Sequence, residues 1–235
     1  MKRSWISALA ILVAAPAAAG ETPSVKPAPS ASYDWTGPRI GVNFGWSWDR
    51  NAYDAYKGGA LSSSGIDSAT PFHGGVAIGY DYMFASRVVV GVAASIDASA
   101  DSSSTNATAS GSVSTSKSTD AVGGAVLAKL GYAFDDLLLY VDGGWAWSSS
   151  TVTRTQLVGN RNGYTLPYSD SVDVTRSGWD IGAGAAYHIW GGWEVSAEYD
   201  YKRFGRVSMD FVKAGVVSKS TLTANNLTLA IAYKF

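Results

Sequence analysis

From Gly37 the chain alternates. Pro38, Ile40, Val42, Phe44, Trp46 and Trp48 are large and apolar, while Gly37, Arg39, Gly41, Asn43, Gly45 and Ser47 between them are small or polar. Alternation of this length predicts a strand with two chemically different faces. The same period returns seven more times, over 72–84, 88–97, 122–134, 137–147, 179–189, 193–202 and 226–235. Each segment has one apolar face and one face of glycine, small and charged residues.

Charges on the glycine face point to a narrow interior, and the continuous apolar face then looks outward. A tilted strand of about 9–11 residues spans a bilayer, and lipid tolerates only helices and closed barrels. The predicted fold is therefore all-β: an eight-stranded antiparallel up-and-down transmembrane β-barrel. Three connections are short, at about 85–87, 135–136 and 190–192. The other four, at about 49–71, 99–121, 148–177 and 205–222, are long and polar and read as extracellular loops, the second being rich in Ser and Thr and expected to be mobile. Short turns on one side and long loops on the other is the bacterial outer-membrane arrangement, and it places both chain ends in the periplasm.

The aromatics then fall into two belts. Phe84, Phe134, Trp193 and Tyr233 lie near the turns, and Trp46, Trp48, Trp145, Trp147 and Trp179 lie near the loops. Such girdles mark the two lipid interfaces.

Composition fits this division. The 235 residues include 26 glycines, 9 tryptophans and 13 tyrosines, no cysteine, and only 16% charged residues. Disorder and cysteine-based metal or thiol chemistry are excluded, and a net charge of −1 gives no basic footprint for nucleic acid. The mean hydropathy of +0.03 averages an oily face with a polar one.

The N-terminus reads as an address. Lys2 and Arg3, an apolar run over 5–13 and Ala17-Ala18-Ala19 have the layout of a secretory signal peptide over 1–19. Residues 20–33, with Pro23, Pro27 and Pro29, form a flexible periplasmic leader, and 34–235 form the barrel.

Inward positions hold Arg39, Lys129, Lys202 and Lys234 among the bases, and Asp81, Asp97, Asp142, Asp180, Glu194, Glu198 and Asp200 among the acids. Pairing Phe134 with Leu137 sets Lys129 opposite Asp142. Pairing Ile189 with Trp193 sets Asp180 opposite Lys202 and His188 opposite Glu194. Cross-strand ion pairs follow, so these charges are expected to be a structural network with no catalytic role. Eight strands leave an interior that side chains fill, which disfavours a wide pore. Neither a cofactor nor a metal is expected. Arg50, Lys57, Arg154, Arg161, Arg176, Arg203 and Arg206 are basic residues in or beside the loops, and Arg203 and Arg206 are the candidates for contact with lipopolysaccharide phosphates.

The stretch Asp34-Trp35-Thr36-Gly37-Pro38-Arg39-Ile40-Gly41-Val42 resembles the first strand of the small opacity-type porins of alphaproteobacteria, a family that includes outer-membrane antigens and hemin-binding proteins. Gly178–Gly184 and Trp193–Tyr199 are similar to later strands of that family. Pro38 departs from the aromatic residue usual there, so ladder pairing is expected to begin near Arg39. Leu229, Ile231, Tyr233 and the terminal Phe235 resemble the signal read by the barrel assembly machinery. The resemblance implies an outer-membrane location, and the leading expectation is a non-enzymatic barrel with a structural, surface-exposed role. The alternatives are a narrow porin for small solutes, or a loop-mediated binding or adhesion protein for hemin or a surface ligand, in which Tyr53, Tyr56, Tyr164 and Tyr168 would be the available heme ligands.

Overall fold

The computed structural model describes residues 33–99, 103–109, 112–160, 163–164, 168–212 and 215–235. The signal peptide and nearly all of the leader lie outside the described residues.

Twelve strands form: β1 (Gly37–Lys57), β2 (Ala60–Ala69), β3 (Phe72–Met83), β4 (Val88–Ser99), β5 (Ser103–Ala109), β6 (Ser112–Phe134), β7 (Leu137–Asn160), β8 (Gly163–Tyr164), β9 (Tyr168–Trp190), β10 (Trp193–Phe204), β11 (Val207–Phe211) and β12 (Val216–Lys234). Eight of them, β1, β3, β4, β6, β7, β9, β10 and β12, pair antiparallel with their neighbours, and β12 pairs with β1 to close the ring. No ring strand keeps a free edge along its membrane portion, so lipid meets only side chains.

The register defines the barrel. From Ser47 on β1, successive partners are Asn226, Asp200, Gly182, Asp142, Lys129, Gly91 and Asp81, and the path returns to β1 at Gly37, ten residues from its start. This stagger is what tilts the strands. On β7, Leu137 to Trp147 is ten residue steps, about 33 Å along a strand. Tilted by about 40°, that is about 25 Å along the membrane normal, the height of a lipid-facing band.

The apolar face of every ring strand is turned outward: Ile40, Val42, Phe44, Ile78, Val92, Val126, Leu130, Val141, Ile181, Tyr199 and Leu229 are among its exposed residues. Val141 lies in the middle of this band. A Val141→Arg substitution puts a charge on the lipid face near mid-depth, where the cost is about 2–4 kcal/mol. Urea unfolding in lipid vesicles should show the free energy of unfolding lowered by that amount.

Pro38 behaves differently on its two sides. Pairing with β12 begins at Arg39, as expected, but pairing with β3 begins one turn of the pleat earlier, at Gly37 opposite Asp81.

The four long connections are not structureless. The ring strands run on past the lipid band, and β2, β5, β8 and β11 pair with them as hairpin arms. Residues 99–121, expected to be a mobile loop, carry β5 paired with the outer half of β6. Water-facing hydroxyl ladders explain why strands persist there. Thr151 Oγ1 donates to Asp173 at 2.8 Å, and Thr153 and Ser171 lie 3.0 Å apart. Threonine favours strands, and cross-strand Thr–Ser pairs add to the ladder.

Candidate functional site

The lumen is the place where unlike chemistries converge. Its end beside the short turns is filled. Trp35, 1% exposed, packs with Val89, Ala133, Leu138, Tyr140 and Ala186, with Tyr33 and Met83 against them. Trp35 shares sequence parity with Gly37 and Arg39, the inward set. That parity is the one signal in the sequence for its role as a plug.

Tyr33, placed in the leader by sequence, is fixed at this mouth. It stacks on His188 with ring centroids 3.8 Å apart, meets Trp35 edge-on at 5.0 Å, lies 4.3 Å below the Lys234 ammonium and donates to Glu194 at 2.9 Å. Burial and the Glu194 carboxylate push its phenol well above the ordinary tyrosine range. The raised value means that the folded chain holds this proton where the unfolded chain has lost it. The associated stability is full below about pH 10 and falls as pH rises beyond it. Tyr33→Phe should therefore flatten the alkaline loss of stability in unfolding measured from pH 9 to 12. Beside it, the Asp34 carboxyl is held below its usual range by the Thr36 amide, which donates to it at 2.9 Å.

Above the plug lies a layer of charges. Arg39 is 2.8 Å and Lys129 3.7 Å from the same Asp81 carboxylate. Lys202 is 3.4 Å from Asp180 and 3.2 Å from Asp200. Tyr140 donates to Glu198 at 2.7 Å, and Asn226 to Asp200 at 3.0 Å. Glycines make this crowding possible. A methyl on Gly91 would lie 1.8 Å from Asp81 Oδ1, and one on Gly182 would lie 2.6 Å from Asp142 Oδ1.

Backbone register and side-chain pairing part company at two places. Lys129 is opposite Asp142, yet its ammonium turns to Asp81 and to the Tyr140 ring, 4.3 Å away. His188 is opposite Glu194, yet it pairs with Asp136 at 3.1 Å, while Tyr33 takes Glu194. Trp193 pairs with Trp190 instead of Ile189, with a register shift before Glu194 that restores the expected Asp180–Lys202 alignment. On the same rung, Gly91 has no side chain to stand between Lys129 and Asp81, so the lysine reaches across it, and tyrosine takes the carboxylate that histidine was expected to meet.

Through the charge layer and above it, the lumen is not filled by side chains as expected. A cavity of about 450 Å³ extends from Glu194 and Ala186 through Asp142 and Asp180 to Asp49, Asn51 and the exposed Ser68 at the hairpin end. The glycine-rich inner face leaves this space. His73 lines it, buried, with Nε2 3.2 Å from Thr228 Oγ1. Among the described residues no group of three or more His, Asp or Glu side chains is placed to hold a metal ion.

The basic residues near the hairpins separate into different roles. Arg203 is exposed beside Trp179, its strand partner. Arg206 is exposed and 2.5 Å from Asp54. Arg176, grouped with them by sequence position, is buried in the lumen and donates to Ser220 at 2.9 Å. Its even parity on β9, shared with Asp180 and Gly182, turns it inward. Of the aromatic belt residues, Trp46, Trp48, Trp145, Trp179, Phe84, Phe134, Trp193 and Tyr233 are exposed, and Trp147 is half-buried over Gly124. At the C-terminus Leu229, Ile231, Tyr233 and Phe235 all present exposed apolar surface.

Comparison with known proteins agrees with this architecture. The model of the outer membrane protein beta-barrel domain matches residues 6–235. The 31 kDa outer-membrane immunogenic proteins of Brucella melitensis and Brucella suis are each 28% identical, over the whole of this chain and of theirs. Among solved structures, the outer membrane protease OmpT of Escherichia coli aligns with a TM-score of 0.51 at 11% identity, covering 88% of this chain and 99% of that one, a likeness of fold alone. The protein OprG of Pseudomonas aeruginosa aligns with a TM-score of 0.45 at 12% identity, covering 87% and 99%. The chain is an outer-membrane β-barrel and belongs to the outer membrane protein beta-barrel domain family.

Proposed function

We propose that this barrel is a non-enzymatic surface protein, closed at its periplasmic end, that presents its four hairpin arms outside the cell. The plug of Trp35, Val89, Leu138 and Tyr140 is the observation that carries this reading. A lumen stopped by large buried side chains offers no continuous water path, which argues for a structural and surface role over that of a narrow porin. Tyr33 and Phe235 lie on the short-turn side, the periplasmic side in this orientation.

In the same reading Arg203, exposed next to the Trp179 ring and in no ion pair with a described residue, meets lipopolysaccharide phosphate at the outer interface. Arg206 has Asp54 as a competing partner and contributes less. The alternating Leu229, Ile231, Tyr233 and Phe235 serve as the strand that the assembly machinery reads. Presentation of the arms allows adhesion or capture of a surface ligand.

Conductance of the refolded protein in a planar bilayer tests the closed lumen. The expected trace has no discrete openings. Steady openings of uniform size would replace this reading with the porin.

A further inference from the structure

Groups of opposite charge stand incompletely paired in one cavity. At its hairpin end Arg176, 7% exposed, uses Nη2 for Ser220, while Nη1 has no hydrogen-bond partner. No carboxylate of a described residue pairs with it. Deeper in, Asp142 is likewise 7% exposed and has no ion-pair partner among the described residues, and its Oδ1 receives no hydrogen bond. Asp180 is buried beside it, 3.4 Å from Lys202 through Oδ2 but with no hydrogen bond to Oδ1. The side-chain oxygens of Asn43, deeper in, and of Asn51, at the hairpin end, are also buried without a donor. All five residues line the cavity. Buried charges and amides left in this state are costly unless something supplies the missing partners.

The missing partners describe a molecule. Arg176 calls for an anion with two oxygens, Asp142 and Asp180 call for a cation with several N–H donors, and the Asn43 oxygen calls for a neutral N–H donor. Arg176 and Asp180 lie four residues apart on the same face of β9, about 13 Å of strand. A three-residue peptide in extended form is about 10 Å long. Side chains reaching in from both poles cover the difference. The volume of about 450 Å³ falls in the ordinary range for small-molecule sites, about 300–1,000 Å³.

We propose that the lumen binds a short peptide with free termini, about three residues long. Its carboxylate sits on Arg176, its ammonium on Asp142 and Asp180, and an amide N–H group faces Asn43. The acidic pole is the deeper one, so the peptide enters amino end first from the hairpin side. Nothing in this arrangement requires passage through the plug.

Calorimetric titration of the refolded full chain in nanodiscs with triglycine tests it. The expected result is saturable binding of one peptide per barrel. N-acetyl-triglycine, which lacks the ammonium, and triglycine amide, which lacks the carboxylate, should each bind at least tenfold more weakly to the unaltered protein. Arg176→Gln and Asp142→Asn should each weaken triglycine at least tenfold, and Arg176→Gln should remove the preference for the free carboxylate over the amide. The capped peptides keep the proposal falsifiable if either variant fails to refold. Absence of saturable triglycine binding, equal binding of the capped forms, or binding of 6-aminohexanoate as tight as that of triglycine would each overturn it.

Discussion

Replacing Trp35 by alanine should turn a silent barrel into a conducting one. Trp35 is 1% exposed and touches buried groups on several ring strands, among them Val89 on β4, Ala133 on β6, Leu138 on β7 and Ala186 on β9. Truncating a buried tryptophan costs about 3–5 kcal/mol and leaves a void that its surroundings only partly refill. Here the void would join the periplasmic mouth to the cavity, which reaches down to Tyr140 and Ala186. Bilayer recordings of Trp35→Ala should show discrete openings that the unaltered protein lacks. They should favour cations, because the lumen layer holds six acids, Asp81, Asp142, Asp180, Glu194, Glu198 and Asp200, against the three bases Arg39, Lys129 and Lys202. A silent Trp35→Ala would show that Leu138 and Tyr140 close the base without it.

The second large effect concerns Asp81. Two bases, Arg39 and Lys129, converge on this one buried carboxylate. Asp81→Asn keeps the shape and removes the charge, leaving two cations facing each other in a site closed to water. Breaking a buried ion pair from one side costs about 3–5 kcal/mol, far more than the pair contributes relative to an apolar substitute. Urea unfolding in lipid vesicles should show this loss. Asp81→Asn combined with Lys129→Met should recover a large part of it by removing one stranded charge, a non-additivity that a double-mutant cycle measures directly. A loss under about 1 kcal/mol would mean that water reaches the site.

The contrast between Trp35 and the strands shows what a sequence can carry. Strand positions and faces were legible because lipid imposes an all-or-none choice at every second residue. Val141 outward and Asp142 inward is a difference repeated around eight strands. Register was legible at the tight Asp135-Asp136 turn, which fixes Phe134 against Leu137 and therefore Lys129 against Asp142. Side-chain pairing was not, since lysine reaches past its opposite neighbour to Asp81 on β3. The hairpin arms were illegible for a different reason. One face carries hydroxyls such as Thr151, Thr153 and Thr155, and the other buries only a small apolar set, Val174, Met209 and Phe211 with Val152, Val172 and Val207, too few large residues for a hydropathy pattern to register.

Trp35 and Arg176 are single residues with no repeat to announce them. Each was classed by its neighbours in sequence, Trp35 with a family motif and Arg176 with loop bases. Parity along the strand places both inside. The cavity follows from the same cause. Glycines that admit the carboxylates of Asp81 and Asp142 leave volume wherever no carboxylate fills it.

The chain has no cysteine, which makes single-site labelling direct. One cysteine at a time is placed at positions 138–146 of β7, carrying an environment-sensitive fluorophore attached before refolding into vesicles that contain a quencher on the lipid tails. Alternation is the predicted result: strong quenching at 139, 141, 143 and 145, and weak quenching at 138, 140, 142 and 146. Uniform quenching, or quenching on the Asp142 face, would contradict a barrel that turns its apolar face to lipid and keeps its charges inside.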